Sequence, residues 1–467
     1  MKQPARNAAA FVFTDLGVRL IGFLITVYLG RTLGPEGFGV IGIGLAVLGH
    51  LTFVASPGIT LYEMRNVAAT PMGDPARVSA ILSLRLALAV GLMVGTWIAV
   101  EFWPGAPAQG QIVLLYVMSL IPMALLLDWY FQGKEEMGRV GVSRLITYAV
   151  YGLLVLVSVR SALTLSSAPV ALLVGNIAAA AYLFMAYRAE HGSITLRWQP
   201  SSWKGILGDN LPVGLAMLLG QASVNLPPLI IGGFIGVAAV GEFNAAQKIA
   251  LLFLLADRVL SALLVPVITR YMTSRRAESR LLVQVVLKIV VAAVFPIVVF
   301  GIVLARGLMA WVFGDQYGSA VLPLQILMGY VGLTVLNSVF TAVILGEAKT
   351  RHYLGVNAIG ALLLTLLLLV LVPRYGIVGS AVAVVAAEAI LVVLMARKGT
   401  SLGILPSSRV FLRLSLAGAA LAFVTWATLF RGEIIAITVG LSAYGVVLIL
   451  ARAFENEELA FLREKLL

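Results

Sequence analysis

The chain has no cysteine and only three histidines among its 467 residues. Disulfides, thiolate metal sites and a cysteine nucleophile are therefore excluded. His50, His191 and His352 are scattered and show no metal-ligand spacing. Charge is scarce too. Asp, Glu, Lys and Arg make up 12% of residues, whereas a soluble domain carries about 25%. There is no G-x-x-x-x-G-K-[ST] phosphate loop, no H-E-x-x-H, no G-x-S-x-G and no paired-aspartate metal motif in a loop. No polar connection exceeds roughly 20 residues, and a soluble catalytic domain needs about 50. The sequence thus predicts no cofactor, no metal and no enzyme.

What is present is apolar. Hydrophobic residues make up 61% of the chain, with 46 glycines and a mean hydropathy of +1.02. A bilayer crossing needs roughly 20 mostly apolar residues, and about fourteen such stretches follow one another. They run over 8–30, 38–58, 78–101, 109–131, 142–161, 167–188, 206–235, 241–268, 281–304, 319–346, 353–372, 377–396, 410–430 and 433–452. The first is too long for a signal peptide, is interrupted by Asp15 and Arg19, and has no small-x-small cleavage site after it. It is expected to be retained as a helix. The pattern predicts an all-α integral membrane protein with about fourteen transmembrane helices.

Net charge is +12. In a soluble protein that balance would suggest nucleic acid; in a membrane protein it reflects Lys and Arg gathered in cytoplasmic loops. The even-numbered connections and both tails hold most of the Lys and Arg. The odd-numbered ones hold only Arg31, Arg160, Arg306, Arg374 and Arg431. Both termini are therefore expected in the cytoplasm, with membrane lipids rather than nucleic acid as the surroundings.

An internal repeat is visible. Leu33-Gly34-Pro35-Glu36-Gly37-Phe38-Gly39 joins the first two stretches, and Ile235-Gly236-Val237-Ala238-Ala239-Val240-Gly241-Glu242-Phe243 joins the seventh and eighth. Arg19 precedes Gly34 by the distance at which Gln221 precedes Gly236. Both helices would run outward, which makes a parallel repeat of about six helices, as in some secondary transporters. The polar stretch 189–205 would join the halves. The expected divisions are residues 1–200, 201–400, and 401–467 with two further helices and a cytoplasmic tail.

Function has to be read from polar groups inside the stretches, because a charge at the bilayer centre costs about 2.5–3.5 kcal/mol on insertion scales. Asp15, Arg19, Gly22 and Thr26 share one helical face. They line a cavity, or Asp15 and Arg19 simply neutralise one another, or both. In the eighth stretch Asn244, Lys248, Leu251, Leu255, Arg258 and Ser261 share a broad face, with Asp257 beside Arg258. In the seventh, Asn210, Gly214, Met217, Gln221 and Asn225 share a face, followed by an expected break at Pro227-Pro228 and by Gly232-Gly233. Their amides suit a wet lumen or inter-helix hydrogen bonds. Arg85 and Lys288 lie close enough to the cytoplasmic ends to snorkel. Asp128 is expected at the interface, His50 to hydrogen-bond a neighbour, and Glu388 to have a partner that the sequence does not name.

Asp128-Trp129-Tyr130-Phe131-Gln132-Gly133-Lys134-Glu135-Glu136-Met137 resembles the W-x-F-Q-G-x-x-x-M signature of the polysaccharide flippases. These are the Wzx-type O-antigen and repeat-unit translocases of the multidrug/oligosaccharidyl-lipid/polysaccharide exporter superfamily. The Leu33–Gly39 turn is similar to the family's first turn. Val240-Gly241-Glu242-Phe243-Asn244-Ala245-Ala246-Gln247-Lys248-Ile249 is similar to its V-G-x-Y-x-x-A-x-K-I, with Phe243 in place of the tyrosine. Phe313-Gly314-Asp315-Gln316-Tyr317 and the segment from Val372 to Ala381 resemble two later landmarks.

The resemblance implies two six-helix lobes around a central cavity plus two C-terminal helices. It implies alternating access and a polyprenyl-diphosphate-linked oligosaccharide substrate moved across the bacterial inner membrane, with polysaccharide polymerase and assembly proteins as partners. It carries Lys248 over directly; Arg19 and Arg258 rest on their places in the helices. The expected site is thus a cationic cavity of Arg19, Lys248 and Arg258 with Asp15, Gln221, Asn225 and Asn244 as polar lining and Pro227 and Pro228 as a hinge. Related carriers of peptidoglycan precursor share the fold. A drug/cation antiporter would favour acidic groups, and a polysaccharide polymerase or ligase would need a large external loop.

Overall fold

The computed structural model describes the backbone of residues 2–69, 75–102, 107–161, 164–192, 197–257, 260–261, 268, 276–346, 350–400 and 408–451. Side chains are described for the same residues apart from 2–13, 107–108, 212–213, 216, 276–280, 345–346, 350–352, 398–400, 408–411 and 431.

An α-helix satisfies its backbone polar groups within one segment, as lipid requires, and among the described residues there is no strand. Nine described helices are long and apolar enough to cross a bilayer, and three shorter apolar ones (Gln109–Ala124, Ala222–Phe234, Leu412–Thr428) join them. Two of the nine are double length. Helix α1 (Lys2–Ala55) turns at Gly34, φ 68°, and a later one, Thr350–Thr400, turns at Gly376, φ 58°. Those left-handed angles suit glycine, and a nearby proline (Pro35, Pro373) weakens the helix at each turn. Each double-length helix therefore makes two crossings. With that division, helix lies in every one of the fourteen apolar stretches. The chain is an all-α, multi-pass membrane protein.

The chain separates into two compact units, Met1–Asn244 and Ala245–Leu467. After α1, the first unit contains α2 (Ile59–Ala69), α3 (Pro75–Glu101), α4 (Pro107–Val117), α5 (Leu120–Ala124), α6 (Asp128–Gly133), α7 (Met137–Ser158), α8 (Ser167–His191), α9 (Pro200–Gly220), α10 (Ala222–Phe234) and the start of α11 (Val237–Phe253). Its core gathers Ile81, Leu82, Leu127, Leu183 and Tyr187 around Trp129, Tyr130 and Phe131. The three consecutive aromatics of α6 are all fully buried because the short helix is surrounded by α2, α7 and α8 rather than lying on a surface. Tyr130 meets Phe131 and Tyr187 edge to face at 5.3 and 5.0 Å, a favoured aromatic geometry.

The two glycine turns noted in the sequence meet in a helix crossing. Gly236 is left-handed like Gly34. A Cβ on Gly39 would overlap the Val237 carbonyl oxygen, and one on Gly241 would overlap the Pro35 carbonyl oxygen. The two contacts are reciprocal and join equivalent positions of the two repeats. Only glycine lets the backbones approach so closely.

In the second unit, α12 (Arg276–Val303), α14 (Val321–Gly346) and α15 (Thr350–Thr400) share a core of Val286, Val290, Val335, Val339, Val343 and Met395. Between the first two lies the short α13 (Ala305–Val312). The last pair, α16 (Ser408–Thr428) and α17 (Glu433–Leu450), docks on α12. Gly418 leaves room for the ring of Phe295, and the Tyr444 hydroxyl donates to the Ala292 carbonyl at 2.8 Å.

Candidate functional site

On α1, Arg19 Nε donates to Asp15 Oδ2 at 2.7 Å. The other carboxylate oxygen, Oδ1, accepts from Arg144 Nη1 of α7 at 3.2 Å. Asp15 therefore bridges two guanidinium groups from different helices. Asp15 is 18% exposed, while Arg19 and Arg144 keep 38% and 36% of their side-chain surface open. Gly22 is small enough to admit the ring of Tyr148, one turn after Arg144, and Thr26 turns its hydroxyl back onto the Gly22 carbonyl at 2.8 Å. The intrahelical ion pair is thus present, and its arginine still offers an open face. Arg144 was missed in the sequence because it reads as one more basic residue of a cytoplasmic turn.

The other expected residues are dispersed. Gln221 sits at the interruption between α9 and α10. Asn225 places its amide against Gly49, and Asn244, which is buried, fills the space left by Gly42 in the helix crossing. Asn210 is buried on α9, donating to the Ile206 carbonyl at 2.7 Å. Lys248 lies on α11 in the second unit and is half-buried. Arg258 falls outside the described residues. Its neighbour Asp257 lines a pocket of the second unit with Ser261 and Ser338.

Two expectations are corrected. The break expected at Pro227-Pro228 lies instead at Gln221, and both prolines are buried inside α10. A helical proline disturbs the carbonyl four residues before it. For Pro227 and Pro228 those are the carbonyls of Ser223 and Val224, which lie within α10 just after the interruption. Nor do Arg85 and Lys288 snorkel: they are 7% and 5% exposed. Arg85 reaches the Met123 and Leu126 carbonyls at 2.8 Å each, where α5 ends.

Other groups find local partners. His50 Nδ1 lies 3.0 Å from the Ala46 carbonyl. Asp128, at the start of α6, accepts from the Ser143 hydroxyl at 3.3 Å. Glu388, 6% exposed, accepts from Asn337 Nδ2 at 3.0 Å, the partner that the sequence did not name. The charged end of the W-x-F-Q-G segment is an ion-pair cluster. Lys134 meets Glu190 at 2.6 Å and Glu136 at 3.1 Å, Arg139 meets Glu136 at 3.1 Å and also Glu190, and the Tyr130 hydroxyl is 3.2 Å from His191 Nε2. This segment clamps α6 to α8. Its partners in these contacts are protein groups of the first unit.

The first unit thus combines a paired charge on a crossing helix with a close glycine crossing. Solved structures agree at the level of fold. The Lipid II flippase MurJ in an inward-closed conformation superposes with a TM-score of 0.78 at 14% identity, over 95% of this chain and 98% of that one. An inward-facing multidrug resistance MATE family transporter of the MOP superfamily superposes at 0.65 with 15% identity, over 84% and 99%. The family described as "Polysaccharide biosynthesis protein" matches residues 5–272, and the chain belongs to that family. Stage V sporulation protein B of Bacillus subtilis (strain 168) is 24% identical over 427 residues, 81% of this chain and 80% of that protein. The putative O-antigen transporter of Escherichia coli (strain K12) is 24% identical over 391 residues, 80% and 92% of the two.

Proposed function

We propose that this protein is a flippase that moves a polyprenyl-diphosphate-linked oligosaccharide from the cytoplasmic to the outer leaflet of the bacterial inner membrane by alternating access. The observation that carries the reading is Arg19, a guanidinium that stays 38% exposed on a membrane-crossing helix. Facing lipid it would cost several kcal/mol, on the order of 2.5–3.5 on insertion scales, so its open face belongs in a wet lumen. An arginine fork there suits the two oxygens of a phosphoryl group. In this reading Lys248 and Arg258 add positive charge, Gln221, Asn225 and Asn244 serve the saccharide, and Pro227 and Pro228 loosen the helix around Gln221 so that it bends during the cycle. Membership of the polysaccharide biosynthesis family and similarity to an O-antigen transporter support a saccharide cargo and a carrier rather than an enzyme. A second reading, peptidoglycan-precursor transport, is favoured by the likeness to a Lipid II flippase. The two readings differ in the saccharide carried.

The test is a deletion strain. Lipid-linked saccharide should accumulate on the cytoplasmic leaflet and be cleared by the wild-type chain. Arg19→Ala should fail to clear it at normal membrane abundance, and Arg19→Lys should clear it only partly. Full clearance by Arg19→Ala, or no accumulation at all in the deletion strain, would reject the reading.

A further inference from the structure

The segment that leads into α9 is tied to α3 and turns an aromatic ring outward. Ser79 and Ser83 are one helical turn apart on α3, and both are buried. The Arg197 backbone N–H donates to Ser79 Oγ at 2.6 Å, and the Trp203 indole N–H donates to Ser83 Oγ at 3.2 Å. Trp203 packs with Ile206 and Leu207 on the core of the first unit. Its ring backs that of Trp198 edge to face, with centroids 4.8 Å apart and planes at 75°. Trp198 itself is 60% exposed. Arg197, Pro200, Ser201, Ser202 and Lys204 are exposed as well. A large ring is thus held in place by its inner neighbour while most of its surface lies outside the protein.

We propose that Trp198, Arg197 and Lys204 form a docking surface for the anionic phospholipid headgroups of the cytoplasmic leaflet. Depth is the first argument. The seventh apolar stretch begins at residue 206, so residues 197–204 stand at the level where acyl chain meets headgroup. Tryptophan is favoured there because its ring is apolar and its N–H is polar. Charge is the second. Arg197 and Lys204 flank the two rings, and the next acid along the chain, Asp209, comes more than a helical turn after Lys204. Glu63 on α2 is already paired with Arg77, and Glu190 on α8 with Lys134 and Arg139. The surface is therefore positive, and a basic residue gains from an anionic leaflet an attraction that a neutral lipid does not supply. The choice of leaflet follows from the charge-derived orientation and does not depend on what the protein carries. The consequence is mechanical. The start of α9 is hydrogen-bonded to α3 on one side and seated on lipid on the other, so a bend at Gln221 would leave this end in place.

The experiment measures quenching of Trp198 emission, taken as the difference between the full-length wild-type protein and W198F, in nanodiscs of phosphatidylcholine and phosphatidylglycerol. In one set the phosphatidylglycerol carries bromine high on its acyl chains; in the other the phosphatidylcholine does, at the same mole fraction. Bromine quenches only a ring that it touches, so the two sets report which lipid lies against Trp198. Wild type should gather phosphatidylglycerol about five-fold or more over its bulk share at low salt, the scale of one basic residue at an anionic surface. The enrichment should fall as salt is added and shrink toward parity in R197Q/K204Q. All three substituted residues are exposed, so the variants should fold, and monodispersity and thermal unfolding check it. Absence of quenching by either lipid would overturn the proposal and leave Trp198 facing water or another protein. Equal quenching by both lipids in wild type, or an enrichment unchanged in R197Q/K204Q, would overturn it too, because the basic pair would then play no part. None of these outcomes touches the transport reading, whose own test is the clearance of lipid-linked saccharide.

Discussion

Glu63 shows how a single residue inside a membrane protein is made tolerable. Its side chain is 1% exposed, and a carboxylate in that position has to be paired and hydrogen-bonded. Arg77 supplies two bonds, Nε to Oε2 and Nη2 to Oε1, both 2.8 Å, and Asn66 donates at 3.1 Å. The partners are unequal, for Arg77 is 41% exposed and can turn to water. Removing the arginine strands a buried charge; removing the acid strands an exposed one. Arg77→Met should therefore destabilise the protein by about 3 kcal/mol, the scale of a broken buried pair, and Glu63→Gln by clearly less. Thermal unfolding in detergent checks the order, and equal shifts would show that the buried carboxylate is not the costly member. The same contrast holds around Asp15, which is 18% exposed while Arg19 and Arg144 are 38% and 36% exposed.

At the scale of elements, the crossing of the two repeats carries the sharpest constraint. Gly39 and Gly241 each face a backbone carbonyl of the other repeat's turn, where a methyl group would overlap. Gly39→Ala and Gly241→Ala should each spread α1 and α11 apart and lower stability by similar amounts, about 1–3 kcal/mol for overpacking. Because both methyl groups widen the same gap, the double variant should cost less than the sum. Melting midpoints of the three variants decide the point, and strict additivity would show that the two contacts are independent. The aromatic segment 129–131 has a different duty. Its rings and the Lys134–Glu190 and Arg139–Glu136 pairs tie α6, α7 and α8 together.

At the scale of the molecule, orientation is the property that transport depends on. Lys and Arg concentrate in the even-numbered connections, and the positive-inside rule leads one to expect those connections in the cytoplasm. The absence of cysteine makes the test clean, since one introduced thiol is the only one. A cysteine at Ser202, exposed just before the seventh crossing, should resist an impermeant thiol reagent applied to intact cells. A cysteine at Gln109, at the start of the fourth crossing, should react. Labelling of the Ser202 variant from outside, with protection of the Gln109 variant, would invert the topology.

The sequence by itself determined the all-α membrane class and the succession of apolar crossings, and it brought out the Asp15–Arg19 pair that the structure forms. These follow from local pattern: hydropathy over roughly 20 residues, charge placement in connections, and helical spacing within one segment. Tertiary structure decided which distant groups meet. Arg144 reads in sequence as one more loop arginine, and only the packing of α7 on α1 brings it to Asp15. Asn337 became the partner of Glu388, and the carbonyls at the end of α5 took Arg85 from the snorkelling expected of it. The prolines were legible as a weak point, yet the interruption lies at Gln221 and α10 runs through both prolines. A side chain's partner is set by the three-dimensional path of the chain. In a membrane, where water cannot serve as the default partner, that path also decides which charges are buried in pairs and which keep an open face for a substrate.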